Sequence, residues 1–196
     1  MIDEKLFEHC LPLDLETSGL DPDKHGMLSA GISHFNGEEL YVENRLRHST
    51  DISEEALKVN GFTRSEISRR NRAGNFPSED DALQQILDFA DRNRAKVILG
   101  KNPRFDYGFL KSIWERRETS AKFPLTYRVL DYGAMVATLM ILSGHKVPMH
   151  GISSSAAQEF LGIREEPKPH NALTGARYNK ECIIKLFEKF QEIKDL

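Results

Sequence analysis

Asp14 and Glu16 are the residues from which a chemistry can first be argued. They sit in Leu11-Pro12-Leu13-Asp14-Leu15-Glu16-Thr17-Ser18-Gly19-Leu20. Apolar residues at 11, 13 and 15 alternate with Pro12, Asp14 and Glu16, which is the period of a strand. Side chains two apart in a strand share a face, so the two carboxylates project side by side. Paired carboxylates near a strand end repel one another, and burial sharpens the repulsion. A hard divalent ion such as Mg²⁺ or Mn²⁺, which prefers carboxylate oxygens, would relieve it. An Asp-x-Glu is also a common sequence, and taken alone a solvated strand edge or a turn with incidental acids is the more ordinary explanation.

Two further stretches carry chemistry. Gly100-Lys101-Asn102-Pro103-Arg104-Phe105-Asp106-Tyr107-Gly108-Phe109-Leu110 follows a short apolar run and places Asp106 where a strand should pass into a helix. Functional groups in open α/β sheets gather at such carboxyl ends, although an acid also simply favours a helix N-terminus. Phe105, Phe109 and Leu110 read as core residues. Pro169-His170-Asn171-Ala172 places a His in a loop before a long helix. There it could serve as a general base or stand as a solvated bystander. The other histidines, His145 and His150 among them, have no supporting context.

The elements that must position these residues read in order as strands and helices. Met27 to Phe35 and Glu39 to Leu46 are strand-like, with the hairpin signal Asn36-Gly37 between them. With the opening strand they form an antiparallel set. Helices are predicted over Ser53–Asn60, Thr63–Arg70, from Ser78 onward, Phe105–Glu118, Tyr132–Leu142, Ser153–Leu161 and Thr174–Ile193. Strands are predicted at Lys96–Gly100 and Tyr127–Leu130. The sum is an α/β fold, one mixed five-stranded sheet flanked by helices, and a single domain over 1–196.

Bulk properties narrow the partners. The 196 residues carry a formal charge of −3, so the chain lacks the basic signature of a protein that coats nucleic acid by charge. No apolar run approaches a membrane span and the first residues lack a signal-peptide pattern, which makes a cytoplasmic location the expectation. Cys10 and Cys182 read as ordinary thiols. Arg64, Arg69, Arg70 and Arg72 form a small basic cluster, either a solvated surface or a path for an incoming strand.

Taken together, Asp14-x-Glu16, the segment holding Asp106, and His170-Asn171-Ala172 with Gly175-Ala176 resemble the three motifs of the DEDD exonucleases, in their DnaQ-like, His-containing (DEDDh) branch. Val59-Asn60-Gly61-Phe62-Thr63, Leu130-Asp131-Tyr132 and Phe160-Leu161-Gly162-Ile163 resemble its intervening segments. The resemblance runs from about Leu11 to Tyr178. It implies an RNase H-like fold and 3′→5′ removal of nucleotides from single-stranded nucleic-acid 3′ ends. DNA is the favoured substrate and DNA repair the expected setting, although no residue here is assigned to sensing a 2′-hydroxyl. It further implies two-metal phosphodiester hydrolysis with Mg²⁺ or Mn²⁺ ions about 3.5–4 Å apart. By the same resemblance Asp14 bridges both ions, Glu16 holds one, Asp106 binds or orients through water, and His170 takes the proton. Thr17 and Ser18 hold the terminal nucleotide and Leu20 wedges against a base.

One position departs from the pattern. The family carries an Asp five residues after the His, and here that residue is Gly175. Glu165 and Glu166 precede His170, so neither occupies the missing helical position. The expectation is weakened ion binding and slower turnover, with nucleotide binding retained. The alternative is a catalytically dead relative that binds nucleic-acid 3′ ends or a protein partner. Restoring Asp at 175 would then raise activity. Oligomeric state is not readable.

Overall fold

A computed structural model describes residues 7–149 and 151–194; His150 and the first six residues lie outside it. Five strands, β1 (Cys10–Thr17), β2 (Met27–Ser33), β3 (Glu39–Glu43), β4 (Val97–Gly100) and β5 (Leu130–Asp131), form one mixed sheet. Their order is β3-β2-β1-β4-β5. β2 runs antiparallel to β1 and β3, whereas β1, β4 and β5 are parallel. The helices are α1 (Glu54–Asn60), α2 (Arg64–Ala73), α3 (Glu79–Arg92), α4 (Arg104–Glu115), α5 (Tyr132–Leu142), α6 (Ser154–Leu161) and α7 (Ala172–Lys194).

The alternation in β1 divides the molecule. Leu11, Leu13 and Leu15 pack among residues of α3 and α4 on one face of the sheet. Cys10 joins the opposite core, built with α5, α6 and α7. Asp14 and Glu16 share that second face, and Asp14 is the one residue of β1 that keeps partial access. Gly31, paired with Asp14 across the ladder, is required there: a Cβ on it would overlap the Ala172 backbone. The first turn of α7 therefore seats directly over the Asp14–Gly31 pair. Asn179, two turns along α7, donates its side-chain amide to the Leu13 carbonyl at 2.8 Å.

Local chemistry explains most element boundaries. Ser53, Thr63 and Ser78 cap α1, α2 and α3 with their hydroxyls, the last two in reciprocal capping boxes. Several boundaries differ from the sequence reading: β2 stops at Ser33 and β3 at Glu43, α2 runs on to Ala73, α4 spans Arg104–Glu115, and two more have a local cause. β5 has only two residues because only Leu130 and Asp131 find partners on β4, while Tyr127 is exposed. α7 begins at Ala172, before Thr174, because the Asn171 side-chain oxygen accepts from the N–H groups of Leu173 and Thr174 at 3.1 and 3.3 Å.

The Arg cluster is not a uniform solvated surface. Arg70 is buried, pairs with Glu43 at 2.8 Å and lies 4.4 Å from the Phe62 ring centroid. Arg64, in contrast, is exposed, pairs with Glu54 and donates to the Ile52 carbonyl at 3.0 Å. Cys10 and Cys182 are buried free thiols. Among the described residues no helix is long and apolar enough to cross a membrane.

Candidate active site

Parallel pairing of β1 with β4 brings their carboxyl ends together. After β4 the chain turns through Asn102, whose φ of 54° suits Asn better than most residues. α4 then starts beside β1, and its Asp106 is buried with Oδ1 accepting the Leu15 N–H at 3.1 Å. His170 arrives from the opposite side, in the loop between α6 and α7, where its backbone N–H donates to the Val59 carbonyl at 3.2 Å. Asp14, Asp106, His170 and Gly175 line one cleft of about 220 Å³. Glu16 faces an adjoining cleft of about 230 Å³, which also contains Asn60, Arg70 and His170. The imidazole thus stands at the junction of the two spaces.

A third carboxylate, Glu166, enters the first cleft, and sequence reasoning missed it. Glu166 lies on the loop after α6, which is folded back by three contacts. The Glu166 N–H donates to Gln158 Oε1 at 3.3 Å, the Tyr178 hydroxyl donates to the Glu165 carbonyl at 3.1 Å, and Ser155 donates to the Glu165 carboxylate at 2.9 Å. Glu166 Oε2 stands 3.9 Å from His170 Nδ1. The available signal was two acids a few residues before the His, and helical spacing was the wrong test for a loop.

Electrostatics record the crowding. Burial above all, then the charges of Asp106, Glu16 and Glu166, pushes Asp14 well above the usual carboxylate range. Glu16 is pushed up to about 8 by burial, Glu166 and Asp106. Asp106 rises to about 8 through burial, opposed by the hydrogen bonds of its own backbone and of Leu15. Glu166 is raised by burial and partly relieved by His170. Among the described residues no three His, Cys, Asp or Glu side chains already converge on one point as a finished ligand set. The donor chemistry nevertheless fits a hard divalent cation. The acids are mutually repelling, mostly sealed from water, and Glu166 Oε1 is buried without a hydrogen-bond partner.

The other expected residues divide. Leu20 is 81% exposed. Thr17 and Ser18 do not offer their hydroxyls. Thr17 donates to the Gly19 carbonyl at 2.7 Å. Ser18 donates to the Asp51 carbonyl at 2.7 Å and accepts the Gly26 N–H at 3.0 Å. The Ser18 N–H is spent on the Gly26 carbonyl at 2.9 Å. Both residues are buried and set the shape of the loop that carries Leu20.

Gly175 occupies the fourth position of α7, against Asp14; a Cβ there would overlap Asp14 Oδ2 and come within 3.1 Å of Asp14 Cβ. Gly175→Asp therefore does not simply add a missing ligand. Overpacking of this kind costs about 2 kcal/mol, and the new charge joins an already repelling set. The expected result is a melting temperature lower by about 4–8 °C in EDTA, measured by differential scanning fluorimetry. An unchanged melting temperature would show that α7 moves away from β1 at no cost.

No family model matches the chain. It is 24% identical over 183 residues to DNA polymerase III PolC-type from Thermotoga maritima, a match that covers 92% of this chain and 12% of the polymerase. The chain thus spans about an eighth of that relative's length. Among solved structures, Exonuclease I from Methylocaldum szegediense superposes with a TM-score of 0.70 at 18% identity, covering 93% of this chain and 41% of that one. E. coli Exonuclease I in complex with a dA16 oligonucleotide gives 0.67 at 17%, covering 92% and 40%. The nuclease domain of 3'hExo, a DEDDh family member bound to rAMP, gives 0.63 at 13% and covers 92% of each chain. Five strands in this order with helices on both faces give the chain the RNase H-like fold of these exonucleases.

Proposed function

We propose that this chain is a 3′→5′ exonuclease domain that removes nucleotides from single-stranded ends, DNA favoured, with Mg²⁺ or Mn²⁺ as cofactor. The observation that carries the reading is the convergence of Asp14, Asp106, Glu166 and His170, from three separate parts of the chain, on one cleft at the carboxyl end of the sheet. A divalent cation, when bound, supplies a counter-charge and lowers the pKa of a water. Asp14 and Asp106 offer oxygens to it, with Glu16 on the neighbouring side. His170, at the junction of the two clefts, takes the proton of the attacking water. Leu20 meets the terminal base, and Thr17 and Ser18 hold its loop in place.

A second reading is favoured by Gly175: a relative that grips nucleic-acid ends without cutting them. A panel of 5′-labelled single-stranded DNA, duplex DNA and short RNA, run with Mg²⁺ and with Mn²⁺, separates the two. We expect a ladder shortened from the 3′ end, fastest on single strands. Retention of the label on an uncut strand would favour the end-binding reading, and neither cutting nor binding would end both.

A further inference from the structure

The position that would hold the fourth family acid is occupied by Gly175, where a Cβ would overlap the Asp14 carboxylate, so a side chain enters there only if Asp14 turns aside. From the other wall of the same cleft comes Glu166, whose side chain is 11% exposed. Its Oε1 is shut off from solvent and accepts no hydrogen bond. Leaving a buried carboxylate oxygen unpaired is costly, and native structures rarely tolerate it without a ligand. Pairing with His170 does not account for it. That contact uses the other oxygen, Oε2, and at 3.9 Å it is too long for a hydrogen bond. A second observation points the same way. Glu16 is 7% exposed and lines the adjoining cleft, which shares His170 with the first. One orphaned oxygen of Glu166 and the buried Glu16 therefore flank Asp14 and Asp106.

We infer that Glu166, carried into the cleft by the folded-back α6–α7 loop, supplies the fourth carboxylate of the ion site in place of residue 175. The inference rests on the exonuclease reading and adds to it a residue that lies outside the three sequence motifs. Substituting the source of the ligand, helix for loop, keeps an oxygen-rich set while freeing α7 to pack against β1.

The test is Mn²⁺ binding by calorimetry on the EDTA-stripped, desalted chain, with Glu166→Gln and, as control, Glu165→Gln, whose carboxylate is exposed and held by Ser155. Glu166→Gln should weaken Mn²⁺ affinity about 10- to 100-fold and shrink the Mn²⁺-induced rise in melting temperature. Glu165→Gln should leave both as they are. In EDTA the melting temperature of Glu166→Gln should be unchanged or higher, because a repelling charge has gone. Unaltered Mn²⁺ affinity in Glu166→Gln would overturn the assignment and leave the exonuclease reading standing. Loss of affinity together with a lower melting temperature in EDTA would overturn it too, by showing a structural role. A wild-type chain that binds no Mn²⁺ would take down both.

Discussion

Asp14→Asn should reduce nucleotide release from a labelled single strand by about three orders of magnitude, equivalent to ~4 kcal/mol of transition-state stabilisation. The substitution keeps the shape of the side chain against Gly175 and removes only the charge that Asp106, Glu16 and Glu166 surround. An amide offers a cation one neutral oxygen in place of a shared negative charge, so ion and water are both held more weakly. The same change should raise the melting temperature of the metal-free protein at pH 8, since one member of a repelling set disappears. Opposite movements of activity and stability are the signature of a functional acid; a metal-free protein that became less stable would mark Asp14 as structural. Wild-type turnover in Asp14→Asn would refute the site as drawn.

The second large effect is the pH dependence of stability without metal. Asp14, Glu16, Asp106 and Glu166 all have folded-state pKa values raised by burial. For an acid this means that the native state keeps a proton the unfolded chain gives up. Stability is then fully present below the unfolded pKa, near 4 to 4.5, and is lost as pH rises toward about 8. We expect a loss on the order of 2–4 kcal/mol between pH 5 and 8 in EDTA, a fall in melting temperature of roughly 5–15 °C. Glu39, held down to about 2 by Arg177, works in the opposite direction but only below about pH 4.5. Added Mn²⁺ should raise the melting temperature far more at pH 8 than at pH 5, because cation and proton compete for the same oxygens. Fluorimetric melts at several pH values check this, and a flat profile in EDTA would show that the acids titrate as exposed groups do.

What was legible in the sequence were features written along the chain. The alternation through Leu11–Glu16 set which side chains of β1 enter the α3–α4 core and which face α7. Asn36-Gly37 marked the β2–β3 connection, where Gly37 indeed takes a positive φ of 90°. The hydroxyls of Ser53, Thr63 and Ser78 marked helix starts. Each of these depends on neighbours within a few residues, so periodicity and capping chemistry expose them. Asp14, Glu16, Asp106 and His170 were singled out because their types and order resemble a family's motifs.

Tertiary structure alone decided the rest. That Glu166 enters the cleft depends on Gln158 and Tyr178 holding the α6–α7 loop back on itself. Spacing along the chain carries no trace of that. That Ser18 spends its hydroxyl internally depends on Asp51 and Gly26 arriving beside it. Whether Gly175 is a gap to be refilled or a seat for α7 depends on how near Asp14 lies, which is set by Gly31 letting the helix down onto the sheet. The chain order names the acids; the distance between a helix and a strand determines which of them repel one another in a common cleft, because Coulomb forces act through space and not along the sequence.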